Sequence, residues 1–211
     1  MIVHHFTTPI TTPFARKSTQ IYGDLRRLWE KAKIKESAKK PEITGLCRLI
    51  KGYKIMIKVL FVCHGNICRS PMAEFVMKDL AKKAGLASQF HIESAATSRE
   101  EIGNPVYPPA RRKLAEHGIS CDGHAARQLT NADYEKYDLL IGMDQANLRN
   151  MHRICGGDSA GKLRLLMDYT DHPRDVADPW YTGDFEATWQ DVLAGCQGLL
   201  REITGHHHTR E

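Results

Sequence analysis

A chain of 211 residues, 42% hydrophobic and 26% charged, has the make-up of a soluble globular protein with room for one ordinary domain and an appendage. No apolar run reaches the ~18 residues of a membrane span, and the cysteines at 47, 63, 68, 121, 155 and 196 have neither metal-site spacing nor the density of a secreted scaffold, so reduced thiols in the cytoplasm are expected. The net charge of +5 is unevenly held: residues 1–55 carry 12 Lys and Arg against 4 Asp and Glu, and residues 56–211 carry 18 against 21, so the main body is not expected to bind nucleic acid.

Residues 1–20 are rich in Thr and lack acidic residues, and Ile21, Leu25, Leu28, Trp29 and Ala32 then fall at helical spacing up to Pro41. Three readings fit residues 1–55: an organelle transit peptide, a basic arm for a membrane or acidic partner, or an over-long reading frame upstream of Met56. The last is preferred, because Met56 stands one residue before the first strand. On this division 1–55 is a basic extension outside the core, 56–205 is the domain, and 206–211, with His206, His207 and His208, is a solvated tail and not a metal site.

From there strands and helices alternate. Ile57–Val62 reads as a strand, Pro71–Ala84 as a helix stopped by Gly85, Phe90–Ser94 as a strand, and Pro109–His117 as a helix closing at Gly118. Thr130 looks like an N-cap of one or two turns, Asp138–Met143 a buried strand, Gln145–Cys155 a helix ending at Gly156, and Lys162–Met167 the last strand. Phe185, Trp189, Val192, Cys196, Leu199 and Ile203 mark a long amphipathic helix. The alternation implies an α/β fold, a four-stranded parallel sheet with helices on both faces, with ligands collecting at the C-terminal ends of the strands.

Cys63 stands at such an end, followed by His64-Gly65-Asn66-Ile67-Cys68-Arg69-Ser70 and a helix. Amides of residues 64 to 69 converging at a helix N-terminus would cradle an oxyanion, and Arg69 would supply a cation that keeps its proton. The same field is expected to lower the pKa of Cys63 and make it a thiolate nucleophile. Gly65 allows close backbone approach, Asn66 tolerates left-handed geometry, and the Ser70 hydroxyl can reach the Cys63 sulfur. A lone cysteine here would be a core residue, but this set of neighbours argues for phosphoester chemistry. A Walker-type loop is excluded, since its Gly-x-x-x-x-Gly-Lys-Ser/Thr pattern is absent. Read alone, Asp178-Pro179 is a turn, Trp180-Tyr181 core packing and His124 a satisfied core histidine.

The run Val62–Glu74 closely resembles the signature of the low-molecular-weight protein tyrosine phosphatases, a Cys-x5-Arg-Ser loop near the start of the domain. The likeness continues through Glu93–Thr97, His117–Ile119, His124–Gln128 and Met143-Asp144 to Asp178-Pro179-Trp180-Tyr181. It implies a flavodoxin-like fold and a cysteine-dependent protein-tyrosine phosphatase that acts through a phosphocysteine intermediate on phosphotyrosine-containing proteins, as monomer or weak dimer, with no metal or cofactor. It also implies that Asp178 is the general acid, then base, and that Trp180 and Tyr181 wall the substrate ring. Ser94 and His124 would hold the loop through Asn66, and Cys68 would pair reversibly with Cys63 under oxidation. Where many relatives carry an aromatic residue on the other wall, this chain reads Ser98-Arg99-Glu100-Glu101, which leaves selectivity open and points toward basic or differently shaped partners.

Three rivals are weighed. An arsenate reductase needs two further cysteines after the third strand, and Met143–Asn150 has none. A protein-arginine phosphatase tends to carry Thr where Ile67 stands, and a bulky Ile67 with Trp180-Tyr181 favours a flat phosphotyrosine ring. A non-catalytic phosphate-binding module would be expected to lack Cys63, Arg69 or Asp178.

Overall fold

Strand β1, Ile57–Cys63, shows why this chain builds a two-sided layer. Val59, Phe61 and Cys63 enter one apolar cluster while Leu60 and Val62 enter another, none more than 3% exposed. A strand buried on both faces belongs at the centre of a parallel sheet covered by helices. The computed structural model describes residues 56–205. The extension 1–55, with the helix expected after residue 20, and the tail 206–211 lie outside the described residues.

The sheet has four parallel strands in the order β2-β1-β3-β4, with β2 Phe90–Ala96, β3 Leu139–Gly142 and β4 Leu163–Leu165. The first face is covered by α1 (Arg69–Lys83), α2 (Pro108–Glu116) and α6 (Phe185–Thr204), whose Met72, Val76, Met77, Leu114, Val192 and Leu199 meet β1 in one cluster. The second is covered by α3 (Asn131–Lys136) and α4 (Gln145–Cys155), through Tyr134, Met151 and Cys155. The expected four-stranded parallel sheet with helices on both faces is found.

Local chemistry sets the boundaries. Thr130 donates its N–H to Asp133 at 2.8 Å, the reciprocal bond that opens α3. Gly156, at φ 74°, ends α4 in the left-handed conformation glycine adopts without strain. The last strand is shorter than the expected Lys162–Met167. It stops at Leu165, and Leu166–Tyr169 winds into a 3-10 turn whose Asp168 carboxylate accepts the Leu165 N–H at 3.3 Å. After Asp178, where the sequence reads as a turn, Pro179–Thr182 forms one helical turn, α5, with Pro179 at its first position.

Strand order places the site. The chain leaves β1 for β2 on one side and later returns to β3 on the other, so the C-terminal end of β1 is the point at which the winding reverses. Cys63 pairs with Ala96 and Val62 with Gly142, so all three strands end at one edge.

Candidate active site

The loop between Cys63 and Arg69 is bent around Asn66, which is fully buried and sits at φ 61°. Left-handed backbone at a non-glycine residue needs surrounding bonds to hold it, and Asn66 has them at every polar atom. Its side-chain NH2 donates to Ser94 Oγ at 2.8 Å and Ser70 Oγ at 2.9 Å. Its Oδ1 accepts the Arg127 N–H at 3.1 Å, and its carbonyl accepts from His124 Nε2 at 2.8 Å. Ser94 in turn gives its proton to the buried Glu74 carboxylate. Ser94 and His124 both bond to Asn66 here; Glu74 and Arg127 complete the frame, and although both lie in the family-like stretches Val62–Glu74 and His124–Gln128, nothing in those stretches marks them for this role.

This frame directs protons toward sulfur. Asn66 donates its N–H to Cys63 Sγ at 3.2 Å, and Ser70 Oγ lies 3.0 Å from the same atom. Ser70 Oγ accepts from the Asn66 amide, and its own proton has two acceptors in reach, the Cys63 sulfur at 3.0 Å and the Ala95 carbonyl at 3.4 Å, of which the sulfur is the nearer. Cys68, 7% exposed, has its pKa pushed up to about 12, first by burial and then by the charge of Cys63 and Asp178, so it is a thiol at neutral pH.

Arg69 begins α1 with its guanidinium turned into the site, 4% exposed. One nitrogen donates to Asp144 Oδ2 at 2.7 Å and the other pairs with Asp178 Oδ2 at 2.6 Å. Burial opposes its charge, but Cys63, Asp178 and Asp144 outweigh that and the net shift of its pKa is upward. Each carboxylate divides its oxygens in the same way: Asp144 Oδ1 accepts the Asn147 N–H at 2.6 Å and caps α4, and Asp178 Oδ1 accepts the Trp180 N–H at 3.1 Å and caps α5. Two helix ends thus hold two anions against one cation. Asp144 carried no site role in the sequence reading, because an aspartate before a helix looks like an ordinary cap.

Around this centre the rim is uneven. Trp180 and Tyr181 are 59% and 86% exposed, so core packing does not account for either. Trp180 leans on Tyr107, ring centres 5.6 Å apart, and Tyr107 on Phe185 at 6.2 Å. Ile67 is 8% exposed and packs with Cys68 and Ala126 beneath Tyr107 and Phe185, so little of it faces a ligand. Across the cleft, where Ser98–Glu101 lies, His64 Nε2 stands 3.2 Å from Glu100 and Glu101 accepts from Asn104 at 2.7 Å. Adding a Cβ to Gly65 would bring it within 3.2 Å of Glu101, so this rim sits close on the loop.

Comparisons with known proteins agree with this geometry. The sequence profile of the family described as low molecular weight phosphotyrosine protein phosphatase matches residues 58–208. The low molecular weight protein-tyrosine-phosphatase YfkJ of Bacillus subtilis is 42% identical over 150 residues, covering 70% of this chain and 96% of that protein. Its crystal structure superposes with a TM-score of 0.69 over 72% of this chain and 96% of that one. The human low molecular weight phosphotyrosine protein phosphatase is 37% identical, covering 68% of this chain and 94% of that protein. A crystal structure of a Drosophila arginine phosphatase is also similar, with a TM-score of 0.64 at 28% identity, over 70% of this chain and 98% of that one.

Proposed function

The chain belongs to the low molecular weight phosphotyrosine protein phosphatase family, and from that premise we propose that residues 56–205 are a cysteine-dependent protein-tyrosine phosphatase. The supporting observation is the 2.6 Å contact between Asp178 and Arg69, which brings a carboxylate from far downstream to the cradle that begins at Cys63.

In this reading a phosphotyrosine phosphate sits on the amides of His64 to Arg69, its charge met by the Arg69 guanidinium, with Trp180 and Tyr181 beside the ring. Cys63 Sγ attacks phosphorus, the bond to the phenol oxygen breaks, and Asp178 gives that oxygen a proton. The phosphocysteine is then cleaved by water. Asp178 takes the water's proton, the oxygen attacks phosphorus, the sulfur–phosphorus bond breaks, and the Ser70 hydroxyl supports the departing sulfur. The positive charge that a metal ion would bring to phosphoryl transfer comes here from Arg69. Ser94 and His124 act through Asn66, keeping the loop in shape. Cys68, close enough to Cys63 to feel its charge, is the partner for a protective disulfide under oxidation. The cytoplasm suits such chemistry, since a nucleophilic thiol has to stay reduced, and the five cysteines among the described residues are all free.

Hydrolysis of an aryl phosphate, a phosphotyrosine peptide and a phosphoarginine peptide, by the wild type and by Cys63→Ser and Asp178→Ala, tests the proposal. Expected are preference for phosphotyrosine, background rates with Cys63→Ser, and a loss with Asp178→Ala that is smallest for aryl phosphates with good leaving groups. Activity surviving Cys63→Ser overturns the mechanism, and preference for phosphoarginine overturns the substrate.

A further inference from the structure

On the outer side of the Asp178 turn lies a recess of about 450 Å³, a volume in the range of ligand sites. Its walls are the rings of Tyr107, Trp180 and Phe185 with Pro109 and Pro179, and its one charged lining residue is Arg112. Three consecutive basic residues of α2 differ here. Arg111 pairs with Asp122 at 2.7 Å, and Lys113 with Glu116 and Glu186. Arg112 is exposed and has no ion pair or hydrogen bond among the described residues. A free guanidinium beside an aromatic slot is complementary to an anion carried next to a ring.

The recess shares structure with the catalytic cleft. Pro179 and Trp180 directly follow Asp178, and the Tyr107 N–H donates to the carbonyl of Ile67 in the phosphate loop at 2.8 Å. Trp180, whose N–H donates to the Asp178 carboxylate and whose ring lines the recess, links the two. A polypeptide advances at most ~3.6 Å per residue, so the residues next to a bound phosphotyrosine are the ones within reach of the slot.

We propose that this recess is a second substrate subsite, which takes the stretch of the substrate polypeptide flanking the phosphotyrosine and prefers an aromatic side chain in the slot with a carboxylate at Arg112. The inference rests on the phosphatase reading and names the substrate class of that same site. The slot supplies most of the affinity by covering the ring, and Arg112 supplies discrimination, since a cation meeting a lysine there is repelled.

The test uses the full chain and phosphotyrosine peptides in which a Phe-Glu, Phe-Lys or Ala-Ala pair is placed in turn on each side of the phosphotyrosine, with p-nitrophenyl phosphate as a substrate that has no flanks. On one side Phe-Glu should exceed Ala-Ala in kcat/KM by about threefold to tenfold, the range of a ring packed among rings. Arg112→Glu should invert the order of Phe-Glu and Phe-Lys, each changing by about threefold, as an exposed pair allows, while p-nitrophenyl phosphate kinetics stay unchanged. Equal rates for all peptides, or a Phe-Glu preference that persists in Arg112→Glu, overturn the subsite. Failure to hydrolyse p-nitrophenyl phosphate at all overturns the phosphatase reading instead.

Discussion

At the scale of single residues, Asp144 does two jobs with two oxygens, and substitution separates them. Asp144→Asn keeps an acceptor for the Asn147 N–H but withdraws the charge beside Arg69. The guanidinium is then aligned by Asp178 alone, and kcat/KM for an aryl phosphate is expected to fall about tenfold, the effect of a lost charge-assisted bond. Asp144→Ala should lose activity similarly and, in addition, about 1 kcal/mol of stability with the cap. Unchanged kinetics for Asp144→Asn would show that Arg69 needs no second anion. Cys68 gives a simpler check. With its pKa pushed up to about 12 it holds its proton at pH 7, and iodoacetamide reacts with thiolates, so peptide mapping after brief alkylation should find Cys68 unmodified. Rapid labelling there would contradict the burial that sets the shift.

At the scale of elements, α6 packs on the 3-10 turn Leu166–Tyr169 through two glycines. A Cβ at Gly198 would lie 1.9 Å from the Tyr169 carbonyl oxygen, and one at Gly195 would lie 2.5 Å from Leu166 Cγ. The first obstacle is backbone at 1.9 Å; the second is the buried Leu166 side chain, with its carbonyl oxygen no closer than 3.0 Å, so a smaller shift relieves it. Gly198→Ala is therefore expected to cost about 3 kcal/mol or more, since helix and turn must part, and Gly195→Ala less; urea denaturation measures both. Most element boundaries were legible because strands and helices alternate with clear stops, as at Gly85, Gly118 and Gly156. The 3-10 turn was not. Leu163–Met167 is apolar apart from Arg164, and such a stretch looks the same whether it continues as a strand or curls after three residues. The single turn α5 is too short to show periodicity, and Asp-Pro at its start reads as a loop.

At the scale of the whole molecule, a charged network ties the edge of the sheet to the active loop. Glu93 on β2 accepts from the Tyr137 hydroxyl, Arg127 and Lys136, with His91 at 3.0 Å, while the Arg127 N–H holds Asn66. Partial burial pushes the Glu93 pKa up, but the Tyr137 hydrogen bond and the neighbouring cations outweigh it, and the carboxyl is held below the usual glutamate range. A carboxylate with a depressed folded-state pKa contributes stability above its unfolded value and loses it as pH falls through the folded one. Glu93→Gln should thus be less stable than the wild type at pH 7, with the gap closing as the pH drops below 4.5. A gap constant down to acid pH would remove the charge from the explanation. The same scale shows what the sequence left hidden in the site. The Cys63 loop is continuous in sequence and could be read there, and Asp178, Ser94 and His124 came through family resemblance. Glu74 lies in the same run as the loop without any mark of its role, and Asp144 and Tyr107 reach the site only because the strand ends and helix starts converge.

In the proposed reaction the phosphoryl group passes through Cys63. Rapid acid quench of the enzyme mixed with a phosphotyrosine peptide, followed by mass spectrometry under conditions that preserve thiophosphate esters, addresses it directly. A phosphoryl group is expected on Cys63, formed within one turnover and absent from Cys63→Ser. Full turnover with no phosphoenzyme at any quench time, or a phosphoryl group on another residue formed at the catalytic rate, would contradict it.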